Sequence, residues 1–417
     1  MATADVPRRL PDPPAGTDGV RDWVSTHLGD LCTPAPAPSA AATPIRGGQA
    51  AADAALQRFD VSGYARRRNN VWPQRSRGSS RLSPYIRHGL LSLREVWDHV
   101  AGGPAADVTK FRDELRWQEY ARHLYARMGT ASRGSLRFDV VEHSGGAVAA
   151  NPWAAEALCL DSAWSELVGE GWLTNQTRMW LASHWAVRAG LGWRDGEDLM
   201  YRHLLDGSRA ANRLGWQWTV GALTGKAYGF SRWQVEKRAP GLCERCPLNS
   251  CCPIQQWPAT DEPAPRYSVD PRLRRDDDPE TTAGPAAVRH TGSPEADWIT
   301  AESLGDRDPA AAAHPDLPVA FVFDAPLLRR LQLSANRLVF LAESLADLAT
   351  RRELQLWRGD PVEVLQGRQL AATFAPVPGW RSRAARLDVV ALHPWPWLER
   401  PRSGPVGSFT AWSKGRR

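Results

Sequence analysis

Four thiols crowd into one short stretch of this sequence, Cys243, Cys246, Cys251 and Cys252, in the pattern C-x-x-C-x4-C-C, and a fifth, Cys159, stands well upstream in LCLDSAW. Disulfides are rare inside cells, so thiols clustered this way read as metal ligands, and zinc is the default from spacing alone. A second group lies in GWLTNQTRM, where Trp172, Asn175 and Met179 share one helical face with Arg178 beside them. Further on, LLDGSRAANRLGWQW supplies Asp206, Asn212, Trp216 and Trp218. Upstream, RGSSRLSPYIRHG offers Ser79, Ser80, Arg81 and Ser83 just before a helix, where phosphate oxygens meet backbone N–H groups. In DELRW, Glu114 and Trp117 are three residues apart, which puts a carboxylate and an aromatic ring on one face. Each also has a plain structural use: helical tryptophans fill cores, and surface carboxylates pair with arginines.

The elements that must position these residues follow from hydrophobic period. Apolar residues recur at spacings of three and four in FRDELRWQEYARHLYARM and GWLTNQTRMWLASHWAVRAGL, which predicts a helical domain over 46–256. Residues 1–45, rich in Ala, Pro and Thr, are expected to form a mobile extension, and the proline- and charge-rich stretch 257–290 a linker. Over 291–417, short apolar runs such as LPVAFVFD and LDVVAL alternate with a helix carrying Leu338, Leu341, Leu345 and Leu348 on one face, which predicts an α/β domain with a mostly parallel sheet. That domain lacks G-x-G-x-x-G, so no dinucleotide fingerprint accompanies it. A net charge of +6 suits a polyanionic partner. No run of apolar residues reaches membrane-spanning length and the N-terminus lacks a secretory apolar core, so the expectation is a cytoplasmic monomer without membrane attachment.

In order, YARRRN, SSRLSPYIRHGLLS, FRDELRWQEYARHLY, GWLTNQTRM, LGWRDGE and LLDGSRAANRLGWQW resemble the FAD-binding domain of the photolyase and cryptochrome family, from about Ile45 to Pro253. The resemblance implies FAD as cofactor, with Tyr64, Ser79, Ser80, Arg81 and Ser83 around its phosphates, Arg178 and Asp206 as an ion pair beside the isoalloxazine, and Asn212 facing flavin N5. A polar amide there would stabilise reduced flavin by hydrogen bonding. It further implies that Glu114 hydrogen-bonds a pyrimidine dimer and Trp117 packs against it once flipped out of UV-damaged DNA, with Asn175 and Met179 matching the cyclobutane-dimer type. Enzymes for (6-4) lesions typically carry a histidine pair in this region, and GWLTNQTRM has none. Trp216 would be the proximal electron donor to the flavin and Trp193 the next, with Trp153 a candidate for the distal position. Ser208, where an acidic residue is usual, and Arg213, in place of a second Asn, depart from the family pattern.

The cysteines, a lone upstream Cys, then C-x-x-C, then Cys-Pro, resemble those of the iron-sulfur bacterial cryptochromes and photolyases, which implies a [4Fe-4S] cluster on Cys159, Cys243, Cys246 and Cys252, with Cys251 as the alternative fourth ligand. That subgroup favours (6-4) lesions and carries histidines this chain lacks. From Trp298 onward the sequence resembles the photolyase antenna domain, which ordinarily precedes the FAD domain; the two would stand in swapped order here, as in a circular permutation, with an antenna chromophore the sequence does not identify. The expected function is blue-light-driven repair of a cyclobutane pyrimidine dimer by electron transfer from reduced FAD. The alternatives are a flavin photoreceptor without repair and a (6-4) photolyase.

Overall fold

The computed structural model describes residues 6–34, 45–140, 153, 156–260, 264–266 and 269–414. Its described strands are β1 (Arg8–Arg9), β2 (Phe138–Asp139), β3 (Ala264–Pro265), β4 (Arg289–His290), β5 (Ala296–Trp298), β6 (Val319–Asp324), β7 (Leu354–Gly359), β8 (Leu370–Thr373) and β9 (Val389–His393). The chain divides into two compact units that interleave along the sequence. One is built from Met1–Phe59, Leu82–His99 and Asp278–Ser403, the other from Asp60–Arg81, Val100–Asp277 and Gly404–Arg417.

The first unit is α/β. Its seven-stranded sheet has the order β1-β7-β6-β5-β8-β9-β4; the five central strands are parallel and both edge strands antiparallel. VAFVFD in β6 is apolar almost throughout because a central parallel strand is covered on both faces. Counted from β5, the parallel strands run 3-2-1-4-5, the doubly wound order whose switch point lies between β5 and β8. Helix Ala335–Ala349 buries Leu338, Leu341, Leu345 and Leu348, as its period requires.

The expected mobile extension is corrected here. Within it, β1 pairs with β7, and helix Thr17–Leu28 packs against helix Ala335–Ala349 through buried Val20, Trp23, Val24 and Leu28. Those four residues do carry a helical period, but Pro- and Ala-rich flanks dilute it. The expected linker and C-terminal boundary also shift. Helix Pro279–Ala283, capped by Asp278, and strand β4 belong to the α/β unit, whereas Gly404–Arg417 belongs to the helical one. Leu82–His99, expected in the helical domain, falls in the α/β unit.

The second unit is helical. Its longest helix, Ala105–Met128, turns its Leu115, Tyr120, Leu124 and Met128 inward and ends at Gly129 with φ 54°. Its C-terminal stretch is tied on by hydrogen bonds from Tyr120 Oη to the Val406 carbonyl (2.9 Å) and from Arg127 Nη1 to the Gly404 carbonyl (2.7 Å). A core of Trp153, Trp180, Trp185, Trp193 and Trp216 fills the space between helices Asn175–Ser183, Trp193–His203 and Arg209–Thr219. Gly196 permits that packing, since a Cβ there would fall 2.3 Å from the Trp216 ring. Ser208, the departure noted above, is the N-cap of Arg209–Thr219 and accepts from the Ala210 N–H at 3.2 Å. No described helix is long and apolar enough to cross a membrane.

Candidate flavin and electron-transfer site

Thr174 caps helix Asn175–Ser183, its hydroxyl accepting from the Thr177 N–H, and this sets the first turn that carries Arg178. Arg178 Nη2 donates to Asp206 Oδ2 at 2.7 Å, and its Nε and Nη2 also reach the Leu173 carbonyl at 3.2 Å. The sequence-predicted ion pair is therefore formed. Asp206 is buried, and its second oxygen, Oδ1, has no partner among the described residues. A buried, unsatisfied carboxylate oxygen costs roughly 1–3 kcal/mol or more, so it is a ready acceptor for a ligand N–H.

Asn212 is held from the facing helix. Its Nδ2 donates to the Glu197 carbonyl and to Glu197 Oε1, both at 3.1 Å. Glu197 is itself buried and receives Arg209 Nη1 at 2.7 Å, with Arg213 Nη2 at 3.5 Å. Arg213 also donates to Ser132 Oγ at 3.1 Å, so the residue that departs from the family pattern helps neutralise Glu197. Sequence reasoning passed over Glu197, although it stands inside LGWRDGE; the signal was an acidic residue one turn beyond Trp193 on a buried face.

The tryptophans are close enough for electron exchange. Ring centroids of Trp216 and Trp153 are 6.3 Å apart, Trp153 and Trp185 4.9 Å, and Trp153 and Trp164 5.5 Å. Trp193 is buried in the same core, with the Arg194 guanidinium 4.6 Å from its ring.

The remaining expected site residues are dispersed among other partners. Tyr64 is buried with its ring edge-on to Phe111; burial, and next the Glu114 carboxylate, push its phenol above the usual range, against the opposing effect of Arg68. Ser79 and Ser80 are half-buried, and Arg81, at φ 58°, pairs with Glu170 at 3.0 Å while lying 5.0 Å from the Trp172 ring centroid. Ser83 opens helix Ser83–Arg87 in the α/β unit, apart in assignment from Ser79–Arg81. Glu114 bridges Lys110 at 3.0 Å and Arg68 at 3.3 Å. Trp117 keeps 38% of its surface exposed and stacks on Phe409, a partner that no local pattern announces. Asn175 is exposed and points its amide at Met179 Sδ, 3.7 Å away.

Cys159, Cys243, Cys246 and Cys252 line one cavity, together with Leu242 and Ile254, while Cys251 is exposed and outside it. Burial, then the neighbouring thiols, push Cys159 up to about 12; burial and Glu236 push Cys243 up to about 11. The Leu158 N–H points at Cys246 Sγ (3.5 Å). Among the described residues, no group of three or more His, Cys, Asp or Glu side chains is drawn together tightly enough to hold a metal ion.

The helical core, with its Arg178–Asp206 pair and tryptophan cluster, has the makings of a flavin-binding domain, and comparison with known proteins agrees. Residues 111–235 match the family described as the FAD binding domain of DNA photolyase. It is 28% identical over 201 residues to a deoxyribodipyrimidine photo-lyase of Synechococcus, covering 42% of this chain and 39% of the relative. It is 32% identical over 184 residues to that of Thermus thermophilus, covering 42% and 43%. The chain thus spans about two fifths of the length of these relatives. Among solved structures, a cryptochrome of Synechocystis is 20% identical with a TM-score of 0.43, covering 49% of this chain and 46% of that one.

Proposed function

We propose that this chain binds FAD in its helical unit and works as a monomeric, blue-light-driven photolyase acting on cyclobutane pyrimidine dimers in UV-damaged DNA. The observation that carries the reading is the buried Arg178–Asp206 pair with Asp206 Oδ1 left over, in the segment matched to the flavin family. When bound, reduced FAD supplies the light-excited electron that splits the dimer. Around it, Arg178 and Asp206 orient the ring system, and Asn212, whose amide N–H groups are held by Glu197, offers its amide oxygen. Tyr64, Ser79, Ser80 and Arg81 are assigned to the phosphates by resemblance. Glu114 and Trp117 are assigned to the lesion, one as acceptor and one as stacking surface, and Asn175 and Met179 favour the cyclobutane class. The test is light-dependent reversal of a defined thymine dimer by purified protein carrying one FAD per chain. Conversion of a (6-4) product instead would reassign the lesion, and flavin absent from folded protein would remove the reading.

By resemblance, the four cysteines that line one cavity are assigned to a [4Fe-4S] cluster, with zinc the alternative. The Leu158 N–H on Cys246 is the kind of contact that tunes such a cluster. Iron in excess of zinc on metal analysis supports this assignment; stoichiometric zinc without iron removes it.

One observation favours the photoreceptor alternative. The Trp117 face expected to meet a flipped base is covered by Phe409. The doubly wound α/β unit corresponds by resemblance to the antenna domain, permuted relative to the flavin domain.

A further inference from the structure

Three of the chain's ten histidines come together in the α/β unit from segments far apart in sequence: His290 at the end of β4, His314 at the C-cap of helix Pro309–Ala313, and His393 at the end of β9. β4 pairs with β9 so that His290 stands opposite Ala391, which puts His290 and His393 on the same face, diagonal to one another. His314 Nε2 lies 3.2 Å from His393 Nε2. Two nitrogens bound to one tetrahedral ion at about 2.0–2.1 Å stand about 3.3 Å apart, so this pair already has the separation of two ligands. The His314 and His393 ring centroids are 5.2 Å apart with planes at 88°. His290 is 6.4 Å and 6.2 Å from these rings, about 1 Å further out, with planes at 76° and 83°.

We propose that His290, His314 and His393 form a three-histidine site for a zinc-class divalent transition metal ion. As they lie, the three are not drawn together tightly enough to hold an ion, because His290 stands out; it is exposed, and a rotation of its side chain inward would close the triad and leave a fourth position open to water. His393 is nearly fully buried; burial and the other two imidazoles hold its pKa down to about 4, which keeps it in the neutral form a metal needs. Bound metal would tie the two-residue edge strand β4 to β9 and to the helix ahead of His314, giving a short strand an anchor that its few backbone hydrogen bonds do not. The competing account is a lone hydrogen bond between neutral His314 and His393, with His290 a bystander.

Cobalt(II) distinguishes the two. Untagged, chelator-treated full-length chain should bind one equivalent with nitrogen-type visible bands and no sulfur-to-cobalt charge transfer, separate from any cobalt held by the cysteines. His290→Ala, at an exposed position that should leave folding intact, should weaken that equivalent at least tenfold while sulfur-linked absorption is unchanged. His314→Gln should do the same. Zinc should raise the melting temperature of the wild type by more than that of His290→Ala. Absence of a nitrogen-only equivalent in the wild type, or equal cobalt affinity in His290→Ala, overturns the site whatever the outcome for flavin.

Discussion

Trp117 and Phe409 lie face to face, ring centroids 3.9 Å apart and planes within 10°, with Tyr120 edge-on to both. The Trp117 surface assigned to a lesion is therefore occupied by the chain's own C-terminal segment. Stacking on an aromatic ring is worth about 1–3 kcal/mol per base, so Phe409 competes on equal terms with a base for that face. Phe409→Ala should tighten binding to a dimer-containing oligonucleotide several-fold, with undamaged DNA as the control. Unchanged or weaker binding would mean that Phe409 supports the platform rather than blocks it.

Among the described residues, Glu114 pairs with Lys110 and Arg68, and about a third of its side chain is exposed. Ion pairs of this kind contribute about 0–1 kcal/mol, so Glu114→Ala should leave the melting temperature and FAD content almost unchanged. A carboxylate hydrogen-bonded to a lesion is worth roughly 1.5–3 kcal/mol, and light-driven reversal at sub-saturating dimer should fall about 10- to 100-fold. Glu114→Gln should recover part of it. If Glu114→Ala repairs at the wild-type rate, its role is confined to the local ion pairs.

Asp206→Asn keeps the side-chain shape but removes the charge that Arg178 faces at 2.7 Å. Arg178 is about a quarter exposed, so the stability loss should stay near roughly 1–3 kcal/mol. On the proposed function FAD content should drop much further, because the unpartnered oxygen assigned to the flavin changes with it. Retention of a full equivalent of FAD would detach Asp206 from the flavin.

Asp297, on the central strand β5, is fully buried, and neither carboxylate oxygen has a partner among the described residues. Burial, then Asp308, raise its pKa to about 8 against the opposing charge of Arg352; Asp308, raised by its own burial, stands at about 6. The folded state thus keeps protons that the unfolded chain loses above about pH 4. Their stabilisation is complete below that pH and is lost as pH climbs towards 8. Urea unfolding of the α/β unit should weaken by up to roughly 3 kcal/mol between pH 6 and 8, and Asp297→Asn should flatten that slope. A slope identical in the variant would place the titration elsewhere.

What could be read from the sequence divides along chain separation. Arg178 and Asp206 sit in two motifs that each name their own helix, and the leucine face of Ala335–Ala349 is a local period, so both were legible. The four cavity cysteines were legible as a set, and the cavity separates Cys252 from exposed Cys251 where spacing left either open. Phe409 on Trp117, Glu197 under Asn212 and the histidine triad were not, because each depends on tertiary approach across segments with no shared periodicity. The N-terminal strand and helix escaped because a two-residue strand has no pattern of its own and exists only against β7.

The route by which light reduces the flavin should also differ from the sequence expectation. Trp216 and Trp193 were expected as proximal and second donors, and the structure adds a competing second donor: Trp153 lies 6.3 Å from Trp216 and continues to Trp185 and Trp164. Excited oxidised flavin can take an electron from an adjacent indole, and a second indole must refill the hole before charge recombines. Trp216→Phe removes the proximal donor while keeping an aromatic filler; its indole N–H has no partner among the described residues, so the cost to stability should be small. Trp153→Phe also loses a 2.8 Å hydrogen bond to the Leu181 carbonyl, a penalty of about 0.5–1.5 kcal/mol, so FAD content must be matched before rates are compared. Under blue light with external thiol, Trp216→Phe should photoreduce markedly more slowly than wild type, and Trp153→Phe should slow more than Trp193→Phe. The reverse ranking would restore Trp193 as second donor. A wild-type rate in the Trp216→Phe, Trp153→Phe double variant would show that electrons reach the flavin by a route outside this core.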